Sequence, residues 1–348
     1  MTASRRTVYG VAAVCMAAVL ASPSLAAEGN EASRAETAGA GRPAGRRSVG
    51  VSCICRPARS SAENVERWID TAVLDKPDII LLTEGFMHNT DRSATEAEKN
   101  AGAEPLSGKG PILSLLGRKA REHKTYIMGS TWRKNPKRAG RYNTAFLVDR
   151  TGKVVWHYDK TFPTIGEMES GILPGRGAKV FDTDFGRIGA LICFDLNFEE
   201  LLDTYKREGV ELLCFLSAFR GGLRVPALAF HNQCFVASSV PGENGVIVDP
   251  LGRTLAESSQ YGRIIFARIE LDARVVHIDY NHRRIPDLKK KYGELVRIET
   301  ASPEAVYLLT SLHPEVSVDR MIEAFEIETL DAYLDRARAV RKEHLPAE

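Results

Sequence analysis

The chain has 348 residues, of which 44% are hydrophobic and 26% charged. That is enough apolar material for one large core or two modest ones, and it is not the composition of a disordered chain. Lys and Arg number 47 against 45 Asp and Glu, so no basic excess is left to hold nucleic acid or an anionic membrane.

Residues 1–27 read as an export signal, with Arg5 and Arg6, an apolar stretch from Val8 to Leu20, and small residues around Ser24-Leu25-Ala26. Ser4-Arg5-Arg6-Thr7 resembles the twin-arginine signature for export of a folded protein. A membrane anchor is the alternative, although the apolar stretch is shorter than the roughly 20 residues a bilayer span needs. The chain is therefore expected outside the cytoplasm, periplasmic or extracellular, without stable membrane association after cleavage. Losing this segment leaves 45 cations against 45 acids and five cysteines, Cys53, Cys55, Cys193, Cys214 and Cys234. An odd number in an exported chain leaves at least one free thiol. Cys53 and Cys55 are two apart in an apolar segment, where a strand would point both to one face, and they are poorly placed to bridge. No zinc-ligand spacing is present, and Cys53, Cys55, Cys214 and Cys234 are expected to be small buried hydrophobes. Residues 28–47, rich in Ala, Gly, Glu and Arg, cannot bury enough to offset chain entropy and read as a flexible leader.

From Val49 short apolar runs alternate with amphipathic stretches. Val49–Ile54 reads as a strand, Glu63–Leu74 as a helix, and Asp78–Leu82 as a strand buried on both faces, the pattern of a layered α/β fold. Ile112–His123 reads as a helix and Thr125–Trp132 as a strand. Asn143–Val148 and Val154–Tyr158 form a hairpin around Asp149-Arg150-Thr151-Gly152. Arg187–Phe194 is an apolar strand, Glu199–Glu208 a helix and Glu211–Leu216 a buried strand. Phe235–Val240 and Gly245–Val248 follow as strands, then a turn at Asp249-Pro250-Leu251-Gly252 and a last strand at Ile264–Ile269. This places the main domain at 48–271. Residues 272–348 read as a charged helical extension, with Leu288–Val296 and Val318–Arg341 as its helices.

Three stretches put a reactive side chain at the end of an expected strand, where an α/β layer opens its loops to ligand. They are Leu82-Thr83-Glu84-Gly85, Asp159-Lys160-Thr161-Phe162-Pro163-Thr164-Ile165-Gly166-Glu167, and Ile192-Cys193-Phe194-Asp195. In this order, with Tyr142-Asn143-Thr144-Ala145 before the hairpin, they resemble the nitrilase superfamily of carbon-nitrogen hydrolases over about Val49–Ile269. The resemblance implies a four-layer α-β-β-α sandwich, a homodimer or larger homo-oligomer, and no metal or organic cofactor.

The chemistry suits the residue types. A thiol is mostly protonated at neutral pH and needs a base to become an effective nucleophile. Cys193 is the candidate nucleophile, Glu84 the base, and Lys160 the cation facing the oxyanion. Glu167, in a Lys-x-x-Pro-Thr-x-x-Glu spacing that resembles the family's second glutamate, is expected to hold Lys160. Tyr142, Phe162, Phe194 and Phe219 are candidate pocket walls, and Arg220 is a candidate partner for a substrate carboxylate. Phe194-Asp195 stands where nitrilases carry Trp-Glu, which favours a small linear amide or N-carbamoyl substrate over a nitrile. A nitrile hydrolase and a catalytically silent binding member are the alternatives. His231-Asn232-Gln233 falls where the family usually has a Glu-Asn pair, with packing or capping favoured over a catalytic role, and His88–Gly110 is assigned to a variable rim over the pocket.

Overall fold

The computed structural model describes residues 47–87, 94–137 and 139–346. The expected export signal, the leader up to residue 46, and residues 88–93 of the expected rim lie outside the described residues. Two six-stranded sheets form the centre. The first runs β12 (Ile264–Glu270), β1 (Ser48–Ile54), β2 (Ile79–Glu84), β3 (Tyr126–Lys134), β4 (Arg141–Val148), β5 (Val154–Asp159). The second runs β11 (Thr254–Glu257), β10 (Val246–Val248), β9 (Phe235–Ser239), β8 (Leu212–Leu216), β7 (Arg187–Ile192), β6 (Val180–Asp182).

Strand alternation explains the layers. In β2, Ile79 and Leu81 face the second sheet, while Ile80 and Leu82 face helices α1 (Ala62–Ala72) and α3 (Pro111–His123). In β8, Leu212, Cys214 and Leu216 face the first sheet. Leu213 and Phe215 meet α5 (Glu199–Arg207) and α6 (Arg224–Asn232) through Leu201, Tyr205, Val225 and Leu228. The result is the α-β-β-α sandwich, with a large apolar core between the sheets. Cys53, Cys55, Cys214 and Cys234 are free and buried, as small hydrophobes.

Direction then gathers the reactive side chains. Strands β1, β2 and β3 are parallel, and two antiparallel steps through β4 return β5 to the same direction. Strands β7, β8 and β9 are likewise parallel. Glu84 ends β2, Lys160 follows β5, Cys193 follows β7 and Ser217 follows β8, so each sheet presents its loops at the carboxyl ends of its parallel strands.

The described part of the rim is pinned down. Glu104, buried beside β3, accepts the Ile112 and Leu113 N–H groups at 3.1 and 3.2 Å, capping α3 from a distance. Buried Arg141 donates to Glu96 at 2.6 Å and Asn100 at 3.1 Å, holding the short helix α2 (Glu96–Ala101). Burial raises the Glu104 carboxyl above its ordinary range, against the pull of the two N–H donors. A further short helix, α4 (Ile165–Glu169), follows Lys160.

Two boundaries differ from the sequence reading. Arg47, assigned by composition to the leader, is buried and paired with Glu211 at 2.7 Å, so it belongs to the fold. The C-terminal region contains helices α7 (Ile285–Tyr292), α8 (Val318–Ala324) and α9 (Leu330–Glu343). It also contains an antiparallel sheet ordered β13 (Ala273–His277), β15 (Val306–Ser311), β14 (Val296–Ala301). The single helix expected over Val318–Arg341 is two, because Glu326 takes a left-handed φ of 49° and Thr329 pairs with Val276 before capping α9.

Replacing Cys214 with Ser puts a hydroxyl without a designed partner between the sheets. It should cost about 1–3 kcal/mol, read as a lower urea midpoint than in the Cys214→Ala variant.

Candidate active site

Strand β7 stops at Ile192 because Cys193 adopts a left-handed φ of 51°, turning the chain into a short 3-10 segment, Cys193–Asn197. Such a backbone is costly for a side chain with a Cβ and persists only where its surroundings over-determine it. The turn brings the Cys193 thiol against the Glu84 carboxylate and the Ser217 hydroxyl. Burial, then the negative charge of Glu84, push the thiol up to about 12, with Lys160 and Ser217 opposing. At neutral pH Cys193 is therefore a thiol, and a thiol needs a base to become an effective nucleophile.

Glu84 is fully engaged. Its Oε1 accepts from Lys160 Nζ at 3.2 Å and Asn143 Nδ2 at 2.8 Å, while Oε2 accepts from the Ala218 N–H at 2.8 Å. Lys160, 1% exposed, also donates to Glu167 Oε2 at 2.8 Å. Burial works against the charge on Lys160, but Glu84, Cys193 and Glu167 outweigh it and hold the ammonium well above its ordinary value.

The Pro-Thr-x-x-Glu spacing has a local cause. Thr164 is the N-cap of α4, and its hydroxyl accepts the Glu167 N–H at 3.2 Å while Glu167 Oε2 accepts the Thr164 N–H at 2.8 Å. This reciprocal capping box fixes where the Glu167 carboxylate points, which is at Lys160. Burial would raise the Glu167 carboxyl, but Lys160 and these donors bring it below its ordinary value. A lowered carboxyl gives stability above its unfolded value that is lost as pH falls through the folded one.

Asn143 ties the two acids together. Its Nδ2 donates to Glu84 at 2.8 Å and to Glu167 at 3.3 Å, and its backbone carbonyl accepts the Lys160 N–H at 2.8 Å. The Tyr-Asn-Thr-Ala stretch was visible in the sequence, but nothing there said that its Asn reaches both carboxylates. Ser217 and Ala218 open a segment that resembles the family's pocket-lining loop, but nothing in the sequence said that they meet Cys193 and Glu84, and the bonds of Tyr158 and Asp195 carried no sequence signal. Asp195, wholly buried, accepts from the Ile192 N–H, the Phe162 N–H and the Tyr158 hydroxyl at 2.9, 2.8 and 2.8 Å. Its burial pushes the carboxyl up to about 7 against those donors.

The four residues expected to be catalytic therefore converge, while the expected wall residues divide. Phe162 stacks on Phe198 at 3.7 Å and Phe194 meets Phe198 edge-on at 5.3 Å, giving an aromatic cluster beside Cys193. Phe219 lies edge-on to Phe215, partly exposed. Arg220 is pinned through Nε to the Glu243 carbonyl at 3.2 Å on the same loop as Ser217. Tyr142 is on the strand face opposite Asn143, under the Arg133 guanidinium at 4.3 Å, and is not brought to the cluster. His231 pairs with Asp203 at 2.9 Å beside a groove of ≈ 330 Å³ between α5 and α6, which none of the four converging residues lines. Asp70, Glu122 and His123 also approach one another, but Lys119 sits among them as counter-ion.

The carbon-nitrogen hydrolase family model matches residues 48–275. Omega-amidase NIT3 of Saccharomyces cerevisiae is 28% identical over 62% of this chain and 83% of that protein. The 2-oxoglutaramate amidase of Bacillus subtilis is 29% identical over 60% of this chain and 81% of that protein. A hydrolase of Schizosaccharomyces pombe is 28% identical over 49% of this chain and 61% of its own length. Among solved structures, Saccharomyces cerevisiae Nit3, a nitrilase superfamily member, superposes with a TM-score of 0.57 at 22% identity, covering 64% of this chain and 90% of that one. A Nesterenkonia amidase superposes at 0.54 and 21% identity, covering 72% and 97%. At these identities the structures speak for the fold alone.

Two outcomes follow from the buried charges. Lys160→Met leaves two carboxylates uncompensated and should destabilise the fold by about 3–5 kcal/mol, measured by denaturant unfolding at neutral pH. Thiolate absorbance near 240 nm, taken as the difference from Cys193→Ala, should stay flat through neutral pH and rise only as pH approaches about 12.

Proposed function

Because the chain belongs to the carbon-nitrogen hydrolase family, we propose that it hydrolyses a small linear amide or N-carbamoyl compound through a thioester on Cys193. The observation that carries this reading is the thiol of Cys193 against Glu84, itself bonded to Lys160. As sulfur attacks the carbonyl carbon, Glu84 takes the thiol proton and Lys160 faces the developing oxyanion. The tetrahedral species collapses, the C–N bond breaks, and the amine leaves with the proton from Glu84. Water then attacks the thioester, giving its proton to Glu84, and the acid departs as the thiolate of Cys193 is reprotonated. Glu167 and Asn143 hold Lys160 and Glu84 throughout. Side chains and water supply every group in this sequence.

The relatives named omega-amidase and 2-oxoglutaramate amidase direct attention to a terminal amide on an acid, and Arg220, on the loop that carries Ser217, supplies a cation for its far carboxylate. Export is proposed from the twin-arginine-like residues 1–27, and a homodimer from the family resemblance.

Cys193→Ala should lower turnover of a reactive amide by more than about 10³-fold while leaving the melting curve in place. Intact-mass trapping from a mixed amide, carbamoyl and nitrile library should find an adduct on Cys193 and name the acyl group. Unchanged turnover in the alanine variant overturns the assignment, and consumption of only the nitrile in a matched pair moves it to nitrile hydrolysis.

A further inference from the structure

The reaction above uses Glu84, Lys160, Cys193, Glu167 and Asn143, and leaves one fully buried carboxylate beside them without a role. We propose that Asp195 is a positioning residue that sets Cys193 and Lys160 in register with each other, acting through Tyr158; the inference rests on the amidase reading of the same site.

The two reactive side chains come from different sheets. Lys160 follows β5 in the first and Cys193 follows β7 in the second. No strand pairing joins those ends, so their separation depends on what crosses between the loops. Asp195 makes that crossing. On the nucleophile side its Oδ2 accepts the N–H of Ile192, the residue before Cys193, at 2.9 Å. On the lysine side its Oδ1 accepts the N–H of Phe162, two residues past Lys160, at 2.8 Å. The Tyr158 hydroxyl donates to Oδ2 at 2.8 Å and accepts the Thr161 N–H at 3.2 Å, which closes the Tyr158–Thr161 loop around Lys160. Tyr158 and Asp195 are both sealed from water, so no solvent molecule competes for these bonds.

The same bonds account for the strained backbone at Cys193. A left-handed residue followed by a tight turn needs its flanking groups held, and Asp195 holds Ile192 from within that turn. An amide does not replace it. An asparagine has one acceptor oxygen and one NH2, so in either orientation it sets an NH2 against the Phe162 N–H or the Ile192 N–H.

The test compares Asp195→Asn, Tyr158→Phe and the double variant with the parent, using a reactive amide and, independently, iodoacetamide with mass mapping of Cys193. Misplacing the nucleophile by about 1 Å costs on the order of 100-fold. The expected result for Asp195→Asn is kcat down by about that factor, KM within about threefold, alkylation of Cys193 slowed, and a melting curve that still shows one cooperative transition. Tyr158→Phe should lose less, and the double variant should lose no more than Asp195→Asn alone, since both act through one set of bonds. Turnover per folded molecule within about threefold of the parent overturns the proposal, as does additivity of the two losses. Alkylation needs no amide substrate, so equal alkylation rates also overturn it whatever the reaction proves to be. Failure of the amidase reading alone shows as slowed alkylation in the variant with no amide turnover by either protein.

Discussion

One ammonium holds the candidate site together. Lys160 lies between Glu84 and Glu167, 3.2 and 2.8 Å from their oxygens, in a pocket nearly closed to water. Both Glu84 and Glu167 accept from its Nζ, so removing the ammonium would leave two carboxylates facing each other without a cation. The same charge is placed to face an oxyanion in the proposed reaction.

That arrangement constrains the elements around it. Asn143 spans the two acids from β4, the capping box of α4 aims Glu167, and the Ala218 N–H after β8 fixes the second oxygen of Glu84. Asn143 is a short side chain and the Ala218 N–H a backbone group, so little entropy is lost in holding them, while the capping box restrains the longer Glu167. The thiol completes the set. Burial and the charge of Glu84 hold it as a neutral thiol at neutral pH, a form less prone to oxidation than a thiolate.

The C-terminal region is tied to the sandwich rather than trailing from it. Asp272, held up to about 6 by burial, accepts the Val318 N–H at the start of α8 and lies 3.8 Å from Arg47, which is itself locked to Glu211. The third sheet and its helices thereby share one buried polar seam with the edge of the main fold.

Much was legible in the residues alone. Both-face apolar runs such as Asp78–Leu82 and Glu211–Leu216 announce central strands of a layered fold, since hydrophobic period and local turn chemistry act over a few residues. Glu84, Lys160, Glu167 and Cys193 stand out through their order and their resemblance to the nitrilase superfamily, since none of them is marked by a local pattern alone. The β14–β15 pairing was not legible, because Val296–Ala301 and Val306–Ser311 become strands only by pairing with each other and with β13. The break between α8 and α9, inside a run of good helix formers, is set by the bridge from Thr329 to Val276. Which candidate walls meet the site was also decided in three dimensions: strand alternation sends Asn143 toward the acids and Tyr142 away to Arg133. Asp195 shows the division most plainly. The sequence marks it only as a neighbour of Cys193, and its three donors come from residues 3, 33 and 37 positions away. The sequence by itself determined the chemistry available, because side-chain identity and local period are properties of short segments. The tertiary structure alone decided which groups share a proton or a charge, because hydrogen bonds between segments depend on distances that no local pattern encodes.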